Sequence, residues 1–231
     1  SNLTASDDST SGIMVTWSPP APADTFVDDF ESYPDFTLTF APWTLIDVDG
    51  GDTYGITDHD FPNQFEPMAY IIFNFTQVSP PMDNIAHSGY KVAACFNAVP
   101  HPFNDDWMIT PMLKVGQGYQ LTFWARSYTV QYGPERFKVG VSTTGTNPSD
   151  FTIISPGDYV EAPETWTEYS YDLSSYAGED IYIGIQCVSH DAFIFLVDDF
   201  SVTSGSKPEL TFNEEVDNGY YARAIGTPPA K

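Results

Sequence analysis

Short apolar runs and period-2 alternation dominate this chain, and helical spacing over more than about ten residues is almost absent. The alternation is clearest in residues 166–173 (WTEYSYDL) and 181–188 (IYIGIQCV), and it is typical of strands with one buried face. Together with the shorter apolar runs it predicts about ten strands. The predicted strands are residues 12–17, 26–31, 69–76, 90–96, 107–113, 119–127, 135–142, 166–173, 181–188 and 193–203.

Clusters of Gly, Pro, Asn and Asp, such as TTGTNPSD and SPGD, separate these segments. Closely spaced strands without intervening helices predict an all-β fold, an antiparallel sandwich or barrel. The ends of the chain differ from the middle, because residues 1–25 hold one strand-like segment followed by a Pro-rich stretch and residues 204–231 are rich in Gly and Pro. We therefore expect a core domain over residues 26–203, with an extra hairpin or module fragment at 1–25 and a linker or partial strands at 204–231.

The net charge of the chain limits the classes of partner that it can bind. The 231 residues include 32 acidic and 8 basic side chains, a formal charge of −24. So few cations cannot neutralise many phosphates, which argues against nucleic acid and equally against anionic membranes. The 42% hydrophobic and 16% aromatic content is too high for a disordered chain. Acidity of this kind suits divalent cations, or a secreted protein kept soluble by its charge.

Membrane and export signals are absent from the sequence as given. No run of about 18 apolar residues occurs, so we expect no membrane insertion. The first residues, SNLTASDDST, lack the basic and apolar regions of a signal peptide. This leaves an intracellular protein or a mature, trimmed chain, and we expect the second, with a secreted or cell-surface location.

Acidic residues cluster in three places. The first cluster contains Asp29 and Glu31, the second is the loop DVDGGD with Asp47, Asp49 and Asp52, and the third is the pair Asp198 and Asp199 inside an apolar strand. A carboxylate pair in such a strand is costly to bury unless it is paired, protonated or bound to metal. Calcium prefers six to eight oxygen ligands, often from Gly-containing loops, and basic partners are scarce here. We therefore predict calcium as a cofactor, although an Asp-Gly loop taken alone is usually only a turn.

Sequence motifs for catalysis are absent: there is no Gly-x-Ser-x-Gly elbow, His-Glu-x-x-His, P-loop or Gly-x-Gly-x-x-Gly. We assign no catalytic residue and no role to any histidine, although a glycosidase-like pair of carboxylates remains an alternative in a chain with so many acidic residues.

Cys95 and Cys187 form either one disulfide or two buried free thiols, because nothing in the sequence shows that they meet. Loop aromatic residues are the candidates for a ligand-facing platform, since sugars and peptides stack on such rings. They are Tyr54, Phe61, Phe65, Tyr128, Tyr132 and Tyr159.

Seven strings occur in a characteristic order: DDFESYPD, WTLIDVDGGDTYG, DDWMITPML, LTFWARS, FKVGVSTTGTNPSDFT, WTEYSYDLSSYAGEDIYIGI and FLVDDFSV. Over about residues 26–203 they resemble the cleaved-adhesin, or choice-of-anchor J, family, the haemagglutinin/adhesin modules of gingipains and many secreted Bacteroidetes proteins. The first and last strings also resemble the ends of MAM domains. The segment LTASDDSTSGIMVTWSPP resembles the first two strands of a fibronectin type III domain, but the next strand of such a domain does not follow.

The resemblance implies a jelly-roll β-sandwich of the galactose-binding or concanavalin-like kind, calcium for stability, and binding to host proteins, haem or glycans rather than catalysis. Glu31, Asp47, Asp49 and Asp199 or Asp198 match the family's calcium-binding positions. In a jelly roll the first and last core strands lie side by side, so a calcium between Glu31 and Asp199 would hold both ends of the domain together.

Three functions are compatible with these features of the sequence. The leading hypothesis is a secreted, calcium-stabilised, non-enzymatic adhesion module within a larger surface protein, with a host extracellular protein or glycan as its partner. The second is a glycan-active enzyme or its accessory carbohydrate-binding domain, which a cleft with paired carboxylates of raised pKa would favour. The third is a structural spacer of a surface protein, which featureless polar faces would favour. Fold alone selects none of them.

Overall fold

A computed structural model describes residues 24–99 and 103–204, together with the backbone of residues 3–8 and 12–17. In this part of the chain every paired strand is antiparallel, and the helical elements are three short 3-10 turns, Phe75–Gln77, Pro148–Asp150 and Ser174–Tyr176. The all-β prediction is confirmed, and the architecture is a jelly-roll β-sandwich. No helix among these residues has the length and apolar character needed to cross a bilayer.

Two large sheets form the sandwich. Sheet I contains β13 (Thr152–Ile153), β12 (Glu135–Ser142), β16 (Asp180–Cys187), β9 (Asp106–Ile109) and β4 (Thr44–Asp47) in this order, with β10 (Leu113–Lys114) beside β16 and β14 (Val160–Ala162) beside β12. Sheet II contains β15 (Thr167–Asp172), β11 (Tyr119–Ser127), β17 (Ile194–Ser204), β7 (Val92–Phe96) and β6 (Ile71–Phe73), with β3 (Phe26–Asp28) beside β17. Two smaller pairs are β1 (Leu3–Asp8) with β2 (Gly12–Trp17) and β5 (Asp52–Thr53) with β8 (Ala98–Val99).

The main core lies between the two sheets. Alternate residues of each strand enter it, as period-2 patterning requires. In β16 these are Ile181, Ile183 and Ile185, all fully buried. Across the interface, Phe137 of sheet I stacks on Phe195 of sheet II with ring centroids 5.2 Å apart. The clear alternation at residues 181–188 therefore reflects a strand with one face in this core.

A second core covers the opposite face of sheet II. Ile194 and Leu196 of β17 face it, while Phe195 and Val197 face the main core. The covering layer includes aromatic residues from the segment between β5 and β6 and from the turn after β6, such as Phe61 and Phe75. Because residues 194–197 of β17 are buried on both faces, their sequence, IFLV, is a continuous apolar run rather than an alternating one.

Several predicted strands are shorter in the structure. The expected strand 26–31 ends at Asp28, because Phe30 has a positive φ of 59° and its backbone nitrogen donates to the Asp28 carboxylate at 2.9 Å. The prediction that Asp29 and Glu31 belong to this strand is therefore wrong, since both follow its last residue. The segment 107–113 is split into β9 and β10, since Pro111 lacks the N–H that a ladder needs.

The first and last strands of the core are neighbours, as expected for a jelly roll. β3 pairs with β17, and Asp28 lies opposite Phe200. At the start of the chain, β1 and β2 form an antiparallel hairpin within the region assigned to residues 1–25. The predicted linker at 204–231 lies outside the described residues except for Ser204, which ends β17. The predicted domain boundaries stay predictions.

Candidate cation site and ligand cleft

Three carboxylates meet at one edge of sheet I. Asp47 ends β4, Asp106 begins the adjacent β9 directly opposite it, and Asp49 follows in the acidic loop. One carboxylate oxygen from each lies within 4.8 Å of the other two. Since calcium binds oxygen at about 2.4 Å, two oxygens on one ion are at most about 4.8 Å apart. The spacing of this cluster therefore fits a shared cation, and within the described residues it is the one group of three or more acidic, His or Cys side chains at that spacing.

Asp106 is the buried member of the cluster, with 2% of its surface exposed. Its Oδ2 atom accepts hydrogen bonds from the Asn104 amide at 2.8 Å and the Cys95 thiol at 3.3 Å, while its Oδ1 atom is buried without a hydrogen-bond partner. Burial raises the pKa of Asp106 well above its usual range, and the nearby charges of Asp49 and Asp47 raise it further. A buried carboxyl oxygen without a partner, beside two further acids, fits a site that a cation completes.

The acidic loop is shaped by its own carboxylates. Asp47 accepts from the backbone nitrogen of Gly50 at 2.6 Å, and Asp49 accepts from that of Gly51 at 2.9 Å. Gly50 has a φ of +62°, a left-handed conformation that glycine adopts readily. Burial raises the pKa of Asp47 as well. These turns hold Asp47 and Asp49 beside Asp106, so the fold itself brings the three carboxylates together.

Asp52, the third predicted ligand of this loop, does not join the cluster. It is exposed on β5, where it pairs with Val99 of β8. Sequence reasoning missed Asp106, although the string DDWMI places two acids at the start of an apolar strand, the same pattern that drew attention to Asp198 and Asp199.

A second acidic group surrounds the loop of residues 87–91. Glu31 Oε1 accepts from the backbone nitrogens of Tyr90 at 2.7 Å and Lys91 at 2.6 Å. Asp198 Oδ2 accepts from the backbone nitrogens of His87 at 2.9 Å and Ser88 at 3.1 Å. The structure thus brings two of the predicted carboxylates to one five-residue loop.

Asp199 contacts the same loop. Its carboxylate accepts from the Ser88 hydroxyl at 2.7 Å and lies 2.5 Å from Nδ1 of His87. The His87 ring in turn stacks on Trp124, with centroids 3.9 Å apart. Burial raises the pKa of the neighbouring Asp198 to about 7, and the charge of Asp199 also raises it.

A β-bulge explains how two consecutive carboxylates reach one loop. Between Thr122 and Trp124 the pairing of β11 with β17 shifts, so that two residues of β17 lie opposite one of β11. Asp199 is one of those two and has a positive φ of 46°. In a regular strand consecutive side chains point to opposite faces, and a bulge removes that alternation locally. Asp29 lies in the adjacent turn, where it accepts from the Glu31 backbone nitrogen at 3.1 Å.

The predicted aromatic platform is divided in the structure. Tyr54, Tyr128 and Tyr132 line one cleft of about 600 Å³, formed by loops from different parts of the chain. Phe61 is instead a buried residue of the second core, so its prediction as a ligand-facing residue is wrong. Phe65 is exposed and packs over Gly55 of the cleft lining, but it does not line the cleft itself.

Tyr159 also lies outside the cleft. Its ring packs against the Arg136 guanidinium, with the arginine Cζ 4.4 Å from the ring centroid. Sequence reasoning missed Phe193, Gln131 and Asp191, which line the cleft together with the three tyrosines. They come from the loops before β12 and β17, and no local motif marks loops that meet only in the folded chain.

The sequence profile of the Cleaved Adhesin Domain matches residues 73–202, more than half of the chain. The chain belongs to the cleaved adhesin domain family. Lys-gingipain W83 and a Hemagglutinin A, both of Porphyromonas gingivalis, are each 26% identical to it over 97% of its length. The chain spans only 13% and 10% of the length of those relatives.

Solved structures of cleaved adhesin domains share the fold. The K2 domain of Lys-gingipain superposes with a TM-score of 0.55 at 22% identity, covering 78% of this chain and 99% of that domain. The K1 domain of Lys-gingipain from Porphyromonas gingivalis W83 gives a TM-score of 0.53 at 22% identity, with coverage of 79% and 99%. The predicted family is therefore confirmed by its sequence profile, and the predicted fold by these superpositions.

Proposed function

We propose that this cleaved adhesin domain is a secreted, calcium-stabilised, non-enzymatic recognition module of a larger surface protein, which adheres to an extracellular host protein or glycan. The observation that carries the proposal is the cleft, where three of the six predicted aromatic residues converge. A concave site with aromatic walls and a few polar groups is the usual form of a binding site. The relatives, which include a protein named Hemagglutinin A, support adhesion as the class of function.

In this proposal calcium is bound by Asp47, Asp49 and Asp106. The fit rests on their mutual spacing and on the unpartnered, buried Oδ1 atom of Asp106. A divalent ion held there would neutralise charge at the edge of sheet I and tie the acidic loop to β9. The group formed by Glu31, Asp198 and Asp199 is a second candidate, less favoured because its oxygens already accept backbone and side-chain hydrogen bonds.

The burial of Glu135 and Asp198 speaks against these two acids as the catalytic pair of the enzyme alternative. Burial raises the pKa of Glu135 to about 7, as it does for Asp198, but both side chains are fully buried. A catalytic acid must reach its substrate within hydrogen-bond distance. The cleft lining contains one carboxylate, Asp191, rather than the pair that glycoside hydrolysis needs. The same cleft disfavours a simple spacer, since a spacer needs no concave aromatic surface.

Adhesion is tested by measuring how the fluorescently labelled chain binds intact mammalian epithelial cells in calcium, with unlabelled chain as competitor. Treating the cells with glycosidases or with protease shows whether a glycan or a protein carries the receptor. We expect saturable binding that one treatment removes. Binding that is absent, or that unlabelled chain cannot compete, would contradict the proposal.

A further inference from the structure

Three loops from different parts of the chain supply most of the cleft, and Met82 from a fourth segment completes its lining. Residues within 54–59 follow β5, residues 128–132 connect β11 to β12, and residues 191–193 precede β17. Its volume of about 600 Å³ lies in the range of small-molecule sites, roughly 300–1,000 Å³. Each loop is anchored to one of the two large sheets or to the β5–β8 pair, so the cleft exists before any ligand arrives.

Aromatic rings form the apolar part of the cleft at two depths. Tyr128 lies against the second core, where it stacks on Phe75 with centroids 5.9 Å apart and an interplanar angle of 5°. Phe193 meets Tyr128 and Tyr132 edge-on, at 5.7 Å and 6.2 Å. Tyr132 is 60% exposed and Tyr54 is 40% exposed, which leaves these rings free for a ligand. Tyr128 and Phe193 therefore form the packed wall of the cleft, and Tyr54 and Tyr132 present exposed ring surface to a ligand.

Polar groups surround these rings. His59 lies with Nδ1 2.7 Å from the Pro80 carbonyl, so a neutral ring donates there and presents Nε2 as an acceptor. The side chains of Thr57, Gln131 and Asp191 are exposed and make no hydrogen bond to the described part of the chain. Asp191 is held in the left-handed region at φ 50°. The rim thus offers a carboxylate, an amide, a hydroxyl and an imidazole for hydrogen bonds.

The charge of the cleft selects among ligand classes. Its lining contains Asp191 and no Lys or Arg, in a chain of formal charge −24. Sulfated, phosphorylated or sialylated ligands would be repelled and would find no cationic partner. A neutral sugar suits both the aromatic and the polar groups of the cleft. Its ring has an apolar C–H face that stacks on aromatic rings, and its hydroxyls can hydrogen-bond to polar side chains.

We propose that this cleft binds a neutral saccharide, with a sugar ring on the exposed faces of Tyr54 and Tyr132 and its hydroxyls on Asp191 and Gln131. The inference rests on the proposed adhesive function and names the ligand class and the surface that binds it. It is independent of calcium, because none of the carboxylates of the two acidic groups lines the cleft.

The test measures binding of the purified chain to biotinylated glycans on streptavidin. The probes are galactose-, mannose- and N-acetylglucosamine-terminated glycans, their sialylated and sulfated counterparts, and a lysine-rich peptide. We expect binding to at least one neutral glycan and a loss of about tenfold in affinity for Tyr132→Ala, equivalent to about 1.4 kcal/mol. Tyr159→Ala is the control, since Tyr159 is as exposed as Tyr54 and lies outside the cleft. Unchanged melting temperatures show that both variants fold.

The outcomes separate this inference from the proposed function. If the chain binds cells but Tyr132→Ala and Asp191→Asn bind as well as the parent, the cleft is not the site, although adhesion stands. Tyr132-dependent binding of the lysine-rich peptide alone, or equal binding of sialylated and neutral glycans, overturns the assignment to neutral sugars. A chain that binds neither cells nor any probe contradicts both proposals.

Discussion

The Asp49 carboxylate accepts a hydrogen bond from the backbone nitrogen of Asp105 at 2.8 Å. This bond fastens the acidic loop to the residue before Asp106, which begins β9. It therefore holds Asp49 beside the buried carboxyl of Asp106, where like charges repel. A divalent cation would offset that repulsion, so the free energy of unfolding should depend on calcium.

We expect Asp106→Asn to remove most of the stabilisation that calcium gives. At a calcium concentration one hundred times Kd the parent gains about 2.7 kcal/mol. For a chain of this size that gain raises Tm by about 5–10 °C. In chelator the variant should melt at or above the parent, because asparagine removes a carboxyl whose ionisation is disfavoured by burial and can still accept from Asn104. Thermal unfolding in calcium and in chelator measures both effects.

The matched control is Asp52→Asn, which changes an exposed carboxylate five residues after Asp47 and outside the cluster. It should keep the full response to calcium, although Asp52 was itself a predicted ligand. A full response in Asp106→Asn would show that Asp106 is not a ligand. Loss of the response in Asp199→Asn or Glu31→Gln would then assign the ion to the loop of residues 87–91.

A second prediction concerns Gly89, which combines a φ of +54° with a close approach to Glu31. A Cβ atom at this position would lie 2.4 Å from the Glu31 carboxylate carbon. Gly89→Ala should therefore destabilise the chain by about 1–3 kcal/mol, a fall of several degrees in Tm. Gly157→Ala is the control, since its φ of +72° is similar but its nearest neighbour, at 3.7 Å, is in ordinary contact.

A double variant separates the two causes. Glu31→Ala removes the side chain that meets the new methyl group, so Gly89→Ala should cost less on that background than in the parent. Strictly additive effects on the free energy of unfolding would attribute the whole loss to backbone strain and contradict the proposed contact.

Much of the fold could be predicted from patterning because strands with one buried face alternate. The bounds of β11 and β12 are those that alternation and apolar runs predict. The pattern did not reveal the second core, since residues of β17 that face opposite cores are equally apolar. The chain between β5 and β6 covers sheet II without forming long strands, so periodicity gave no signal there.

The candidate sites were predicted less completely because their residues meet only through long-range pairing. Asp47 and Asp49 were found from their loop, whereas Asp106 joins them because β9 pairs with β4. The bulge at Asp199 is visible in the sequence pattern. The residues that face the main core are odd-numbered before it, Phe195 and Val197, and even-numbered after it, Phe200 and Val202. That change of phase across the two acids is the sign of an extra residue in the strand.

Glu135 should make stability depend on pH between about 5 and 8. Its buried carboxyl accepts from the Phe193 backbone nitrogen at 2.6 Å and is hydrogen-bonded to the Ser189 hydroxyl. Burial nevertheless raises its pKa from 4.5 to about 7. The folded state therefore binds more protons than the unfolded state, so this contribution is complete below pH 4.5 and is lost as the pH rises to about 7.

Glu135→Gln should then match the parent near pH 5 and melt several degrees above it near pH 8, measured in chelator so that calcium binding does not contribute. Glutamine keeps an acceptor for Phe193 and gains a donor for Ser189. The exposed Glu168→Gln is the control and should leave the pH profile unchanged. Parallel profiles for the parent and Glu135→Gln would show that Glu135 ionises in the folded chain as easily as in the unfolded one.

The last prediction concerns Cys95 and Cys187, which are free thiols and fully enclosed in the main core. Burial raises the pKa of Cys95 well above its usual range, so the reactive thiolate is scarce in the native state. We expect no reaction of the folded chain with a disulfide reagent such as DTNB over minutes, and two thiols per chain once guanidinium chloride unfolds it. Unfolding in reductant followed by its removal is the control for oxidised material. Finding two thiols only after reduction would mean that the pair is a disulfide linking β7 of sheet II to β16 of sheet I.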